Sequence, residues 1–239
     1  MPYVKESTKW HAYQFCDPFA AGSFIVCNKI TKIFCQPDCD QHPITNLKSE
    51  IKFTSTPMEA RNMGYEACQY CNPDNLPSTD VELLIKVVGI INLSIGFVAP
   101  LICENEEDNN SQIIQNIHKD TELPTKRRSS VPLINDDGSV KSFDSALSKN
   151  DSDHYKLVDL ACRHLALAAA NNVFGKEEDP TSPSDSKRRR RGGVLGFKEL
   201  AAKSKLSAWH FHRVFKSVTN LTPKAYGDKC WDYLKSYQE

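Results

Sequence analysis

The sequence predicts an α+β chain, with a small mixed unit at its N-terminal end and a helical unit at its C-terminal end. Three observations carry that class. Four cysteines pair up in the first third of the chain, the apolar periodicity changes from short β-rich runs to helical stripes, and charge is segregated along the sequence. The 30 Lys+Arg and 30 Asp+Glu cancel overall. Residues 1–72 hold seven basic against seven acidic side chains, residues 73–186 ten against nineteen, and residues 187–239 thirteen against four. An acidic middle followed by a basic end points to a polyanion partner at that end, unless the lysines merely solvate a surface.

The first unit is expected over residues 8–75. Residues 23–28 and 30–34 are rich in β-branched and aromatic side chains and read as short strands. A helix should open at Thr56-Pro57-Met58-Glu59: Thr56 suits the N-cap, Pro57 the first helical position and Glu59 the capping-box offset. Gly64 should end it and deliver the chain to the second cysteine pair. The cysteines are Cys35-x3-Cys39, then 28 residues, then Cys68-x2-Cys71. Two close pairs with a long loop between them are what a tetrahedral Zn²⁺ site needs, each pair gripping the metal from one knuckle. The competing reading, buried or disulfide-bonded cysteines, is disfavoured because the sequence shows no secretory signal and no further disulfide framework. Cys16, Cys27, Cys103, Cys162 and Cys230 are then ordinary thiols of a reducing compartment. So small a unit buries little apolar area, so the metal should contribute much of its folding energy.

Residues 76–103 are expected to give an apolar helix near 80–94 and an extended segment at 96–102 packing on a core. The uncharged stretch 87–103 is at the short limit for a membrane span and contains Asn92 and Pro100, so membrane tethering is the least favoured alternative. Residues 104–153 are polar, acidic and aperiodic, and read as a disordered linker.

The last unit is expected over 154–239, with a helix at 155–174 bearing a stripe of Leu157, Ala161, Leu165 and Ala168. A basic polar insertion follows at 175–193. Its run Lys187-Arg188-Arg189-Arg190-Arg191 fits a solvated linker, a nuclear import signal or a phosphate-contacting arm. Beyond it Phe197, Leu200 and Ala201 line a short helix, residues 203–206 turn, and Ser207 caps a second helix. Phe211, Val214, Phe215 and Val218 form its inner stripe, and Trp209, His212, Arg213 and Lys216 its outer face. Thr222-Pro223 opens another helix, expected through Trp231. This pattern suits a helix-turn-helix that reads DNA, and also a plain helical bundle.

With these residues in view, the chain resembles the N-terminal half of the bacterial Ada adaptive-response family and its smaller eukaryotic relatives. Trp10, Asp17-Pro18, Gly22-Ser23-Phe24 and Ile33-Phe34-Cys35-Gln36-Pro37-Asp38-Cys39 follow the opening of the Ada zinc domain. Glu59-Ala60, Gly64-Tyr65 and Cys68-Gln69-Tyr70-Cys71-Asn72-Pro73-Asp74 follow its close. The C-terminal part resembles the first helix-turn-helix of the AraC type. Glu199-Leu200-Ala201, Leu206-Ser207, residues 209–216 and Leu221-Thr222-Pro223-Lys224-Ala225-Tyr226 carry that likeness, and Ala161-Cys162-Arg163 matches the preceding helix.

The resemblance implies a Zn²⁺ ion held by Cys35, Cys39, Cys68 and Cys71, and irreversible transfer of a methyl group from a DNA phosphotriester to Cys35, once per molecule. It also implies double-stranded DNA as partner, with Trp209, His212, Arg213, Lys216 and Lys224 as contacts. The expected role is a transcription regulator of the alkylation-damage response, activating or repressing, that engages the transcription machinery, nuclear in a eukaryote through the run 187–191 and otherwise cytoplasmic. Three departures stand against this. Gln36 replaces the usual Arg, Thr31-Lys32 the usual Thr-Gly, and Glu66-Ala67-Cys68-Gln69-Tyr70-Cys71 a more basic close. No Pro-Cys-His-Arg motif of the guanine methyltransferase occurs. The alternative is a zinc-stabilised DNA-binding or scaffold protein without methyl transfer, because each lost phosphate contact weakens binding.

Overall fold

The computed structural model describes residues 3–75, 77, 80–97, 99, 149–174 and 194–238. Helix α1 (Glu6–Phe15) ends where Cys16 enters the left-handed region at φ 46°. A single 3₁₀ turn, Pro18–Ala20, follows, with Asp17 as its cap accepting the Phe19 N–H. Strands β1 (Ile25–Asn28) and β2 (Ile33–Cys35) pair antiparallel. They are shorter than the sequence pattern suggests. Asn28 Oδ1 accepts the N–H groups of Ile30 and Thr31, turning residues 29–32 into a tight connection with Lys32 at φ 60°.

Strand β3 (Ile51–Thr54) pairs antiparallel with β1 on its other side. Helix α2 (Pro57–Asn62) starts as the sequence requires, with Thr56 Oγ1 accepting the Glu59 N–H at 3.2 Å. Glu59 returns a carboxylate oxygen to the Ser55 N–H, one residue earlier than the usual box partner. Strand β4 (Glu66–Ala67) then pairs parallel with β2, giving the sheet order β3-β1-β2-β4.

The two faces of the sheet bury different partners. Ile25, Cys27 and Phe34 point to one side, against Ala60 and Tyr65, and make a cluster of only five buried side chains. Val26 and Ile51 belong instead to the large core shared with the helices. Helix α3 (Val81–Ser94) is capped by Asp80 and buries Leu84, Val87, Val88 and Ile91, as its apolar pattern predicts. No helix among the described residues is long and apolar enough to cross a membrane. Phe97 is buried beyond it, and most of the expected extended segment lies outside the described residues.

Helix α4 (Lys149–Phe174) begins before residue 155, so the last residues of the expected linker are helical, while 104–148 lie outside the described residues. Its single expected stripe is also corrected. Leu157 and Ala161 are buried and Leu165 and Ala168 half-buried, but Val158, Leu160, Cys162 and Leu167 on other sides are buried too. A helix enclosed by α3, the Pro18–Ala20 turn and the C-terminal helices has no solvent face to mark with polar residues.

Helices α5 (Phe197–Lys203), α6 (Ala208–Thr219) and α7 (Pro223–Gln238) complete the chain, α7 running well past Trp231. Ser207 caps α6 through the His210 N–H, and Phe197 stacks on Phe211 at 4.1 Å between ring centroids. The stripe is graded, with Phe211 and Phe215 fully buried and Val214 and Val218 half-buried.

The two units share one core and a buried polar seam. Arg163 on α4 donates to Asp17 Oδ2 at 2.7 Å and to Asp159, and its guanidinium lies over the Phe19 ring. Tyr3 donates to the same Asp17 oxygen at 2.9 Å. Beside them, buried His164 donates from Nε2 to the Phe15 carbonyl and accepts the Leu195 N–H on Nδ1, so its ring bridges α1 and the chain entering α5.

Burial pushes the His164 pKa down to about 4. The unfolded chain takes up this proton near pH 6.5 and the folded chain only near pH 4. The unfolded state therefore binds more protons in that window, and stability falls as pH drops through it, by on the order of 3 kcal/mol when complete. In urea unfolding across pH 7 to 4, His164→Gln, which can keep both hydrogen bonds, should lose less stability than the wild type. Parallel pH profiles would remove the role given to His164.

Candidate metal centre

The register of the sheet explains why cysteines 28 residues apart meet. Cys35 is the last residue of β2, and the parallel partner β4 ends one residue before Cys68. Phe34 pairs with Ala67, and the Cys68 N–H donates to the Phe34 carbonyl at 2.9 Å, so the two strands release their knuckles side by side. All four sulfurs, of Cys35, Cys39, Cys68 and Cys71, lie within 4.8 Å of one another.

A tetrahedral ion with Zn–S bonds near 2.3 Å sets sulfurs roughly 3.8 Å apart, so a small contraction suffices. Four soft sulfur donors select zinc over hard cations. The centre is thus built for one Zn²⁺ held by four cysteines. In the cluster of thiols alone, hydrogen bonds to Cys39 and Cys71 hold the Cys35 proton and push its pKa well up. The bonds Cys71 receives from Cys35 and Cys39 bring its own down to about 5. The protons and the ion compete for the same lone pairs, so metal affinity falls in acid.

The surroundings of the sulfurs differ. The Gln36 N–H points at Cys71 Sγ at 3.4 Å, His42 Nε2 lies 3.3 Å from Cys68 Sγ, and the Gln41 backbone N–H is directed at Cys39. Among the described residues no N–H is placed on Cys35 Sγ. Cys35 is half-buried and lines a small cavity of about 30 Å³ with Tyr13, Ile33, Cys39, His42 and Ile51, whereas Cys68 is only 2% exposed. Cys16 comes near, donating its thiol to the Cys39 carbonyl at 3.9 Å, but burial pushes that thiol up to about 12 and keeps it neutral. Cys16, Cys27, Cys162 and Cys230 are buried free thiols.

Gln36 does not face solvent. Its side-chain oxygen accepts the Gly22 N–H at 3.0 Å and its side-chain nitrogen donates to the Pro73 carbonyl, so it staples the first knuckle to the second and to the turn before β1. Gly22 sits at φ 73°, which suits glycine there. Sequence reasoning missed this role, and it missed His42; a histidine three residues after a knuckle cysteine was the available signal.

The family model described as the metal binding domain of Ada matches residues 8–74. Residues 8–74 are an Ada-type metal-binding domain. The regulatory protein Ada of Salmonella typhimurium is 30% identical over 66 residues, covering 28% of this chain and 18% of that protein. The bifunctional transcriptional activator/DNA repair enzyme Ada of Escherichia coli is 29% identical over 71 residues, covering 30% of this chain and 20% of that protein. The chain thus matches a fifth or less of the length of these relatives. A crystal structure of a methylated N-Ada/DNA complex aligns over 96% of this chain and 99% of that one at 19% identity, with a TM-score of 0.28, too low to support an argument about shape.

The Ada-type domain accounts for the cysteines but does not include the C-terminal side chains. There Trp209 is 68% exposed, with the Arg213 guanidinium 4.8 Å above its ring. His212 is exposed and pairs edge-type with the Phe197 ring, and Lys216 and Lys224 are exposed. The basic run 187–191 lies outside the described residues.

Proposed function

We propose that this protein is a zinc-containing, DNA-binding transcription regulator of an alkylation-damage response, in which Cys35 accepts a methyl group from a DNA methylphosphotriester. The observation that carries the acceptor role is the unequal treatment of the sulfurs. Cys71 accepts the Gln36 N–H, Cys68 has His42 Nε2 at 3.3 Å and the Gln41 backbone favours the Cys39 thiolate, while among the described residues no N–H is placed on Cys35, which borders a cavity of about 30 Å³. Hydrogen bonds to a thiolate stabilise it and lower its nucleophilicity, so the bare sulfur is the reactive one.

Bound Zn²⁺ would keep the four cysteines as thiolates at neutral pH. The remaining chemistry belongs to Cys35. A lone pair on Sγ attacks the methyl carbon in line, the carbon–oxygen bond breaks, and the phosphodiester oxygen leaves with the electron pair, so no general acid or base is needed. Cys35 ends as a thioether, with no visible route back. The site's charge changes from −2 to −1, which reduces repulsion of DNA phosphates and should tighten DNA binding.

Helix α6 supplies the reading head in this proposal. Arg213 is suited to bidentate contact with guanine, Trp209 to thymine methyls or sugars, and His212 to base edges, while Lys216 and Lys224 suit phosphates. Activation through the transcription machinery, and nuclear import through residues 187–191 in a eukaryote, complete the proposal. A second reading, zinc-stabilised DNA binding or scaffolding without methyl transfer, is favoured by Gln36. Its amide is spent inside the fold, where the family places a cation.

Mass spectrometry of the zinc-loaded protein after incubation with methylphosphotriester DNA decides between them. One methyl group on the Cys35 peptide is expected. Full zinc content with no adduct at Cys35 would replace the repair reading with the second one.

A further inference from the structure

We propose that His42 is a positioning residue that decides which sulfur reacts, by holding Cys68 out of the chemistry. This rests on the reading that a thiolate of this centre accepts a methyl group. The parallel pairing of β2 with β4 makes Cys35 and Cys68 near-equivalent: each leaves the end of its strand, and the two strands are bonded side by side. The backbone therefore does not choose between them.

What separates the pair is the His42 ring. It lines the cavity beside Cys35, and its Nε2 lies 3.3 Å from Cys68 Sγ. Against a thiolate, that nitrogen is the donor. Tyr70, from the second knuckle, pairs edge-type with the His42 ring, centroids 6.2 Å apart. Cys68 is thus both hydrogen-bonded by His42 and, at 2% exposure, closed to incoming groups.

The other two N–H groups on the cluster, from Gln36 and Gln41, are backbone groups and survive any side-chain replacement. His42 is the one side-chain donor among the three. Of the groups that distinguish the two near-equivalent strand-end sulfurs, His42 is thus the one side chain that a single substitution can remove.

The test uses the full zinc-loaded, reduced protein and limiting methyl iodide, which needs no DNA. The thiolate sulfur displaces iodide from the methyl carbon, forming an S–CH₃ bond. Peptide mapping then gives the ratio of methyl on Cys68 to methyl on Cys35. Wild type should carry the label on Cys35. In His42→Ala the Cys68:Cys35 ratio should rise by on the order of ten-fold or more, the usual scale for losing a group that supports a metal ligand. His42→Gln, whose amide can place an N–H near the same point, should restore the wild-type ratio.

A zinc-loaded His42→Ala protein labelled at Cys35 alone overturns the role of His42 and leaves the acceptor reading intact. Wild type unlabelled at Cys35 overturns the acceptor reading itself. If His42→Ala fails to hold zinc, the cadmium-substituted wild type decides by NMR. An imidazole Nε2–H coupled to cadmium through Cys68 Sγ supports the role, and its absence overturns it.

Discussion

Stripping the metal from the reduced protein with a chelator should unfold the sheet while leaving the helices around α4 folded. The inner cluster of the sheet holds only Ile25, Cys27, Phe34, Ala60 and Tyr65. Structural zinc supplies about 10–16 kcal/mol of binding energy at neutral pH in small domains, at least as much as the burial of five such side chains supplies. Without the ion, β2 and β4 are joined by few hydrogen bonds, and four sulfurs within 4.8 Å must stay protonated or repel. The core around α4 does not depend on the metal, since Phe211, Phe215, Tyr226 and Leu234 are buried there by other helices. Hydrogen exchange after chelation should show fast amides at Phe34, Cys27 and Ala67 and slow ones at Val158, Ala166 and Tyr226. Retained protection at Phe34 in the chelated protein would mean that the metal does not organise the N-terminal third.

Replacing Arg163 by Met should cost about 3–5 kcal/mol, the scale for leaving a buried charge without its partner. Arg163 neutralises both Asp17 and Asp159, and the aspartates are even more buried than it is. Its Nε has no hydrogen-bond partner among the described residues, so among them the cluster is incompletely satisfied. The methionine would leave two carboxylates facing each other across a dry seam. Adding Asp17→Asn and Asp159→Asn should recover part of the loss, because the penalty lies in the unpaired charges and not in the missing contact. Urea unfolding of the zinc-loaded variants measures both. If Arg163→Met unfolds like wild type, this pair does not hold the metal-binding domain to the helices.

Much of the centre was legible because its information is local. Cysteine spacing fixes which residues can form knuckles, and Thr56, Pro57 and Glu59 mark a helix start through bonds spanning three or four residues. Ser207 and the Phe211–Phe215 stripe were readable for the same reason. The start of α4 was not, because its first residues are polar and their helicity continues from a helix packed elsewhere. The all-round burial of α4 hid it from any one-stripe pattern. Gln36 counted as a lost cation until its bonds to Gly22 and Pro73 gave it a place.

The sequence by itself determined the ligand set, the helix caps and the inner face of α6, since each depends on neighbours within a few residues. Only the tertiary structure decided that Asp17 meets Arg163 across 146 positions, that Cys35 and Cys68 lie at the ends of adjacent strands, and that His42 Nε2 rests against Cys68 Sγ. Contacts between distant segments are set by how helices and strands pack, and one sequence does not state which surfaces will meet.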